Sequence, residues 1–147
     1  MPFEKRCEMV EKLINDFPDM ELSDIEKRLA LDPSYTISVL ENLAQEISGD
    51  IALLIGADSL LQLHTWHRAH ELVDAFRILT YPRSKYPVSA LKEITFWSSQ
   101  EQQKLLSGVI EGKFFEISST IIRKKMAKNA EWSDIKQLTD EIMKMEQ

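Results

Sequence analysis

Glycine is scarce in this chain. Gly49, Gly56, Gly108 and Gly112 are the only four among 147 residues, against an average usage of about 7%. So spaced, they match neither GxGxxG nor GxxxxGK, which disfavours a self-contained dinucleotide loop or P-loop kinase. Cysteine is scarcer still. Cys7 stands alone, so no internal disulfide can form, and its place on an apolar helix face suits a core thiol better than a nucleophile. The first residues, Met-Pro-Phe-Glu-Lys-Arg-Cys-Glu, hold no apolar stretch for an export signal, and a reducing cytoplasm is the expected location. The longest small-or-apolar run covers only residues 51–57, far short of the roughly 20 a membrane span needs. An excess of cationic side chains is also missing. Eighteen Lys and Arg face 24 Asp and Glu, a net charge of −6, which argues against a nucleic-acid partner held by its phosphates. A local cationic pocket for a small phosphate ligand stays open.

What is present is an ordinary soluble composition, 44% apolar and 29% charged, with a length that predicts one domain. Phe3, Cys7, Val10, Ile14 and Phe17 step by three or four, predicting a helix with one buried stripe closed by Pro18. Residues 20–23 alternate like a short strand. Asp32-Pro33-Ser34-Tyr35-Thr36 reads as a turn whose hydroxyls can cap the next helix, carried by Ile37, Leu40, Leu43, Ala44 and Ile47. Residues 51–55 form a continuous apolar run, as in a strand buried on both faces of a parallel sheet. A short helix follows around Ala69, Leu72, Val73 and Phe76, then a strand over 76–81 stopped by Pro82. Residues 88–109 have a weak helical pattern. A strand over 114–117, a helix from Ser118 through Ala127 and a terminal amphipathic helix complete the reading. Strands alternating with helices predict an α/β fold, a Rossmann-like parallel sheet with flanking helices. Ligands in such sheets sit at the carboxyl ends of the strands, which singles out Asp58, Arg83 and the triplet at 118–120.

Three segments could carry chemistry. Ile117-Ser118-Ser119-Thr120-Ile121-Ile122-Arg123 starts a helix with three hydroxyls. The free N–H groups there welcome an anion, and Arg123 can add a bidentate phosphate contact; plain N-capping explains the same residues. In Ile55-Gly56-Ala57-Asp58, Gly56 lets backbone approach a ligand closely and Asp58 can accept from a hydroxyl or amine, or cap a turn. His64, His67 and His70 fall three apart around Trp66. Helical spacing would put the imidazoles on one side for a metal, but no Cys or HExxH accompanies them, so no metal ligand is assigned. Trp66 can stack on a flat ring or pack into the core.

Taken together and in order, Pro33-Ser34-Tyr35-Thr36, Ile55-Gly56-Ala57-Asp58-Ser59-Leu60, Thr65-Trp66, Tyr81-Pro82-Arg83 and the 117–123 segment resemble bacterial nicotinate-nucleotide adenylyltransferases. The resemblance covers residues 3–128. It implies a Rossmann-like nucleotidyltransferase domain that joins nicotinate mononucleotide to ATP, with Mg²⁺, giving deamido-NAD and pyrophosphate in NAD biosynthesis. Small molecules are then the partners, with neither nucleic acid nor membrane, and self-association into a homo-oligomer is left open. The resemblance implies that Tyr35, Thr36, Trp66 and His67 contact the nicotinate nucleotide. Gly56 and Asp58 fall on the ATP side of the cleft, and Ser118, Ser119, Thr120 and Arg123 match the motif that holds the ATP phosphates.

The family pattern opens with a GxFDPxHxGH segment whose histidines act on the triphosphate, and this sequence contains no such segment. His64, His67 and His70 fall at the nicotinate end, His64 where the family usually has Pro, and Ser84-Lys85 stands in place of Pro-Gly. The expectation is a single nucleotidyltransferase-like domain, residues 1–147, truncated at its N-terminus, with no catalytic residue assigned and little turnover as written. A non-catalytic nucleotide-binding remnant or interaction module is the competing expectation. A histidine metal module and pantetheine-phosphate adenylyltransferase are lesser ones.

Overall fold

The computed structural model describes residues 2–111. The chain divides into two compact units, Met1–Gly49 and Asp50–Gln147. The strand expected at 114–117, the helix with Ser118, Ser119, Thr120 and Arg123, and the terminal helix lie outside the described residues.

The first unit is helical among its described residues. α1 (Phe3–Ile14) begins after Pro2 and carries Glu4 in its first turn and Lys12 in its last, the charge order the helix dipole favours. The spacing predicted this helix, but not its surroundings: none of its residues is buried, and Val10, Leu13 and Phe17 are exposed. Residues 20–23 form no strand, and Met20 is exposed; an alternation of four residues has no partner to pair with. α2 (Ile25–Arg28) and α3 (Thr36–Glu46) supply the buried residues Ile25, Ile37 and Leu40. Arg28 grips Glu46 with two parallel bonds of 2.8 Å, and Lys27 reaches Glu4 at 3.0 Å. These pairs are exposed, so solvent screening leaves them little effect on stability. The expected hydroxyl cap of α3 is not made. Tyr35 is the N-cap residue, no side chain caps the helix, and Ser34 Oγ turns to Glu26 instead.

The second unit is built on two parallel strands, β1 (Ala52–Gly56) and β2 (Arg77–Tyr81), with Leu54 opposite Leu79 and Gly56 opposite Tyr81. Both predicted strands are thus present and parallel. On its other edge β2 meets the segment around Val109: Thr80 N–H donates to Gly108 O at 2.9 Å, and Ile110 N–H to Thr80 O at 3.0 Å. β2 is paired on both sides; among the described residues β1 is paired on one.

Period-two geometry sends Ile55, Ile78 and Thr80 to one face of the sheet, where all three are buried. Ala52, Leu54, Arg77, Leu79 and Tyr81 alternate to the other, and there Leu54 is 61% exposed. The run at 51–55 is therefore not buried on both faces. α4 (Ala57–Gln62), α5 (Ala69–Ala75) and α6 (Ser99–Ser107) pack with the strands, and a 3₁₀ turn at Leu63–Thr65 and a 3₁₀ segment at Val88–Glu93 pack with those helices. Leu60, Leu63, Leu72, Val73, Leu91 and Leu105 are fully buried there.

The weak pattern at 88–109 resolves into the 3₁₀ segment and α6, separated by a stretch that buries Trp97. A capping box sets the start of α6. Glu101 N–H donates to Ser98 Oγ at 3.3 Å, and Ser98 N–H donates back to Glu101 Oε2 at 2.8 Å.

Candidate functional site

Parallel strands in register end together, so the loops that leave them meet at one edge of the sheet. β1 ends at Gly56 and α4 starts at Ala57, placing Asp58 in the first turn of α4. β2 ends at Tyr81, and the chain turns back through Arg83, where Tyr86 N–H donates to Arg83 O at 3.0 Å. Arg83 Nε then stands 3.3 Å from Asp58 Oδ1. Both side chains keep about a third of their surface exposed, 34% for Arg83 and 37% for Asp58. Asp58 Oδ1 itself is buried and accepts no hydrogen bond of good geometry.

Gly56 underlies this pair. A Cβ at position 56 would lie 2.4 Å from Asp58 Oδ1 and 2.9 Å from Arg83 Nε. The space left by the missing side chain is occupied by the ion pair. The sequence reading gave Gly56 to the close approach of a ligand; the structure adds that the Asp58–Arg83 contact already requires it.

The other candidates are placed as follows. Trp66 closes the 3₁₀ turn, its N–H donating to Leu63 O at 3.0 Å, and is half-buried. His67 follows it and is exposed. Arg68 adopts φ 52°, ψ 44° as the N-cap residue of α5, a left-handed conformation that bends the chain out of the 3₁₀ turn. Its guanidinium holds Glu71 with bonds of 3.0 and 2.6 Å. Tyr35 and Thr36 lie at the start of α3 in the first unit.

The histidines do not share a helix face. His64 sits in the 3₁₀ turn, His67 in the loop and His70 in α5. His70 stacks on Phe96 at 4.2 Å and bonds Glu101 Oε1 at 2.6 Å. His64 is half-buried with Nδ1 lacking a hydrogen-bond partner. Among the described residues no three His, Cys, Asp or Glu side chains are grouped for a metal. The change of backbone from 3₁₀ turn to loop to α-helix breaks the spacing on which the metal module depended.

A cavity of ≈ 560 Å³ opens between α5 and the start of α6, lined by His70, Glu71, Asp74, Ser98, Glu101 and Lys104. Several of its charges are already engaged within the chain. Lys104 donates to Asp74 O at 2.8 Å, and Glu71 is held by Arg68. Burial pushes the Glu101 carboxyl up, but the Ser98 hydroxyl, His70 and the Ser98 N–H outweigh it and hold it down at about 2. The strand-end edge, where the Asp58 side chain is still a third exposed, is the better candidate for a ligand.

Residues 1–125 of the chain match the cytidylyltransferase-like family. The chain belongs to that family. It is 32% identical over 126 residues to the probable nicotinate-nucleotide adenylyltransferase of Caldicellulosiruptor saccharolyticus, covering 86% of this chain and 62% of that protein. The protein of the same name from Bacteroides fragilis is 33% identical over 127 residues, covering 86% of this chain and 58% of its own length. That of Serratia proteamaculans is 33% identical over 145 residues, with coverages of 90% and 66%. The chain thus spans about three-fifths of the length of these relatives. Cytidylyltransferase-like membership agrees with the Rossmann-type arrangement of β1, β2 and their helices, and the names of the relatives agree with the resemblance read from the motifs. No helix among the described residues is long and apolar enough to cross a membrane.

Sequence reasoning named Gly56 and Asp58 as site residues. Arg83 was singled out as a residue following a strand and as part of the Tyr81-Pro82-Arg83 motif, with no role assigned to it. The available signal was the strand-end rule itself, since two parallel strands in register bring their next charged residues together.

Proposed function

We propose that this chain belongs to a nicotinate-nucleotide adenylyltransferase and carries nucleotide-contacting residues for adenylyl transfer from ATP to nicotinate mononucleotide, yielding deamido-NAD and pyrophosphate. The observation that carries the reading is the Gly56–Asp58–Arg83 cluster at the carboxyl ends of two parallel strands, in a chain of the cytidylyltransferase-like family. In the reaction, a phosphate oxygen of the mononucleotide attacks the α-phosphorus of ATP and the bond to pyrophosphate breaks. No covalent enzyme intermediate is needed, so the protein's work is positioning and charge stabilisation.

In this reading Gly56 and Asp58 face the ATP side, and Ser118, Ser119, Thr120 and Arg123 hold its phosphates. Tyr35, Thr36, Trp66 and His67 receive the nicotinate nucleotide. The chain acts as a single nucleotidyltransferase-like domain in the cytoplasm on small molecules, with neither nucleic acid nor membrane as a partner; the motif order, the charge balance and the names of the relatives support this. Mg²⁺ is expected to arrive with ATP, since this ion keeps several waters and binds substrate phosphates with few protein ligands.

Titration calorimetry of the full chain tests the reading. Saturable binding of ATP and of nicotinate mononucleotide is expected, with ATP binding weakened in Asp58→Ala. No heat with either ligand up to millimolar concentration overturns it. Deamido-NAD formation, followed in the same samples, separates an active transferase from a nucleotide-binding module without turnover.

A further inference from the structure

Arg83 stands in the site with no task yet assigned to it, and the geometry around Gly56 limits what it can do. Its backbone lies in a turn closed by one bond to Tyr86, while its guanidinium leans over Gly56, with Nε toward Asp58 Oδ1 at 3.3 Å. That oxygen is buried. A ligand cannot reach an oxygen that the guanidinium covers, yet 37% of the Asp58 side chain remains exposed. The carboxylate is therefore asymmetric, with one oxygen held inward and the other left for a ligand.

We infer that Arg83 is a positioning residue that acts through Asp58. Its guanidinium reaches across the bare Cα of Gly56, and its charge, 3.3 Å from the inner oxygen, holds that oxygen inward without a hydrogen bond. The outer oxygen is then presented to a hydroxyl of the bound nucleotide. The inference rests on the reading that Asp58 meets the ATP side. A half-exposed ion pair adds little to stability, so the pair's effect is on orientation. An unpinned carboxylate samples several rotamers and loses alignment with a hydroxyl donor.

The test is a double-mutant cycle in the full chain, with Arg83→Met, Asp58→Asn and the double variant titrated with ATP, and melting curves to confirm that each folds. Arg83→Met is expected to weaken ATP binding about tenfold, the scale of one misaligned charge-assisted hydrogen bond. In the Asp58→Asn background the same change is expected to cost nothing further. Arg83→Lys, which keeps the charge on a head of different shape, is expected to recover part of the loss. An equal loss from Arg83→Met in both backgrounds means that Arg83 acts on the ligand itself, and overturns the inference; so does no loss in either. If the unmodified chain binds no ATP, the nucleotide role of Asp58 fails, and with it the presentation of its outer oxygen. The pair itself is still decided by the Nε–H resonance of Arg83 in a ¹⁵N spectrum. A resonance that moves on Asp58→Asn shows the pair, and one that stays shows that no pair forms.

Discussion

At the residue scale, two glycines with no unusual conformation show how differently a missing side chain can be used. A Cβ on Gly108 would lie 1.9 Å from Ile78 O, a backbone atom in the middle of the sheet, while a Cβ on Gly56 would meet only the side-chain ends of Asp58 and Arg83. Backbone cannot step aside and side chains can. Gly108→Ala is therefore expected to destabilise the second unit by roughly 1–3 kcal/mol or more, as overpacking does, read as a fall in Tm. Gly56→Ala is expected to leave Tm nearly unchanged but to weaken ATP binding, because the ion pair must separate. If the two variants reverse these outcomes, the geometry at both positions is misassigned. Gly108 also shows where the sequence is mute. A Gly108–Gly112 spacing in a polar segment says nothing of a carbonyl thirty residues earlier in the chain.

At the scale of elements, strong periodicity was legible and weak periodicity was not. The runs that became β1, β2, α3 and α5 are each apolar at the right interval, and the structure forms all four. The strand expected at 20–23 had too few residues to define a face, and the segment at 88–109 hid a break because Trp97 is buried from a non-helical stretch. The positions of the strand-end site were legible, Gly56 and Asp58 as a local motif and Arg83 by the strand-end rule, but the contact between Asp58 and Arg83 was not. Arg83 joins them only through β-pairing that spans the length of α4 and α5.

The start of α6 carries its own prediction. Ser98→Ala removes the capping hydroxyl and is expected to cost about 1 kcal/mol, visible as a Tm lower by a few degrees. Glu101 couples that cap to pH. Its folded carboxyl titrates at about 2, below its ordinary 4.5, so the unfolded chain binds the proton first as pH falls. The stability it contributes is complete above pH 4.5 and is lost as pH drops toward 2. Glu101→Gln is expected to flatten the acid limb of the stability curve over that window; an unchanged limb would show that the carboxylate is not held by Ser98 and His70.

At the scale of the whole molecule, one observation stands out: an apolar strand with Leu54 61% exposed and, among the described residues, a free edge. Exposed edges of this kind template pairing with other chains, and a charge on them suppresses it. Leu54→Lys is expected to reduce concentration-dependent association in light scattering while leaving the far-UV circular dichroism unchanged. Equal scattering from both proteins would remove the edge as its cause.

The double pairing of β2 has a consequence in time. Thr80 is wholly buried, its N–H bonded to Gly108 O and its carbonyl to the N–H of Ile110, with β1 on the opposite edge. Its amide proton can reach solvent only if the sheet itself opens. Hydrogen exchange at Thr80 is expected to fall in the slowest class of the second unit, near the rate set by global unfolding. The turn at Arg83, closed by one backbone bond to Tyr86, should exchange far sooner. The turn at this edge is thus free to adjust on a short clock, two residues from a strand that keeps a long one.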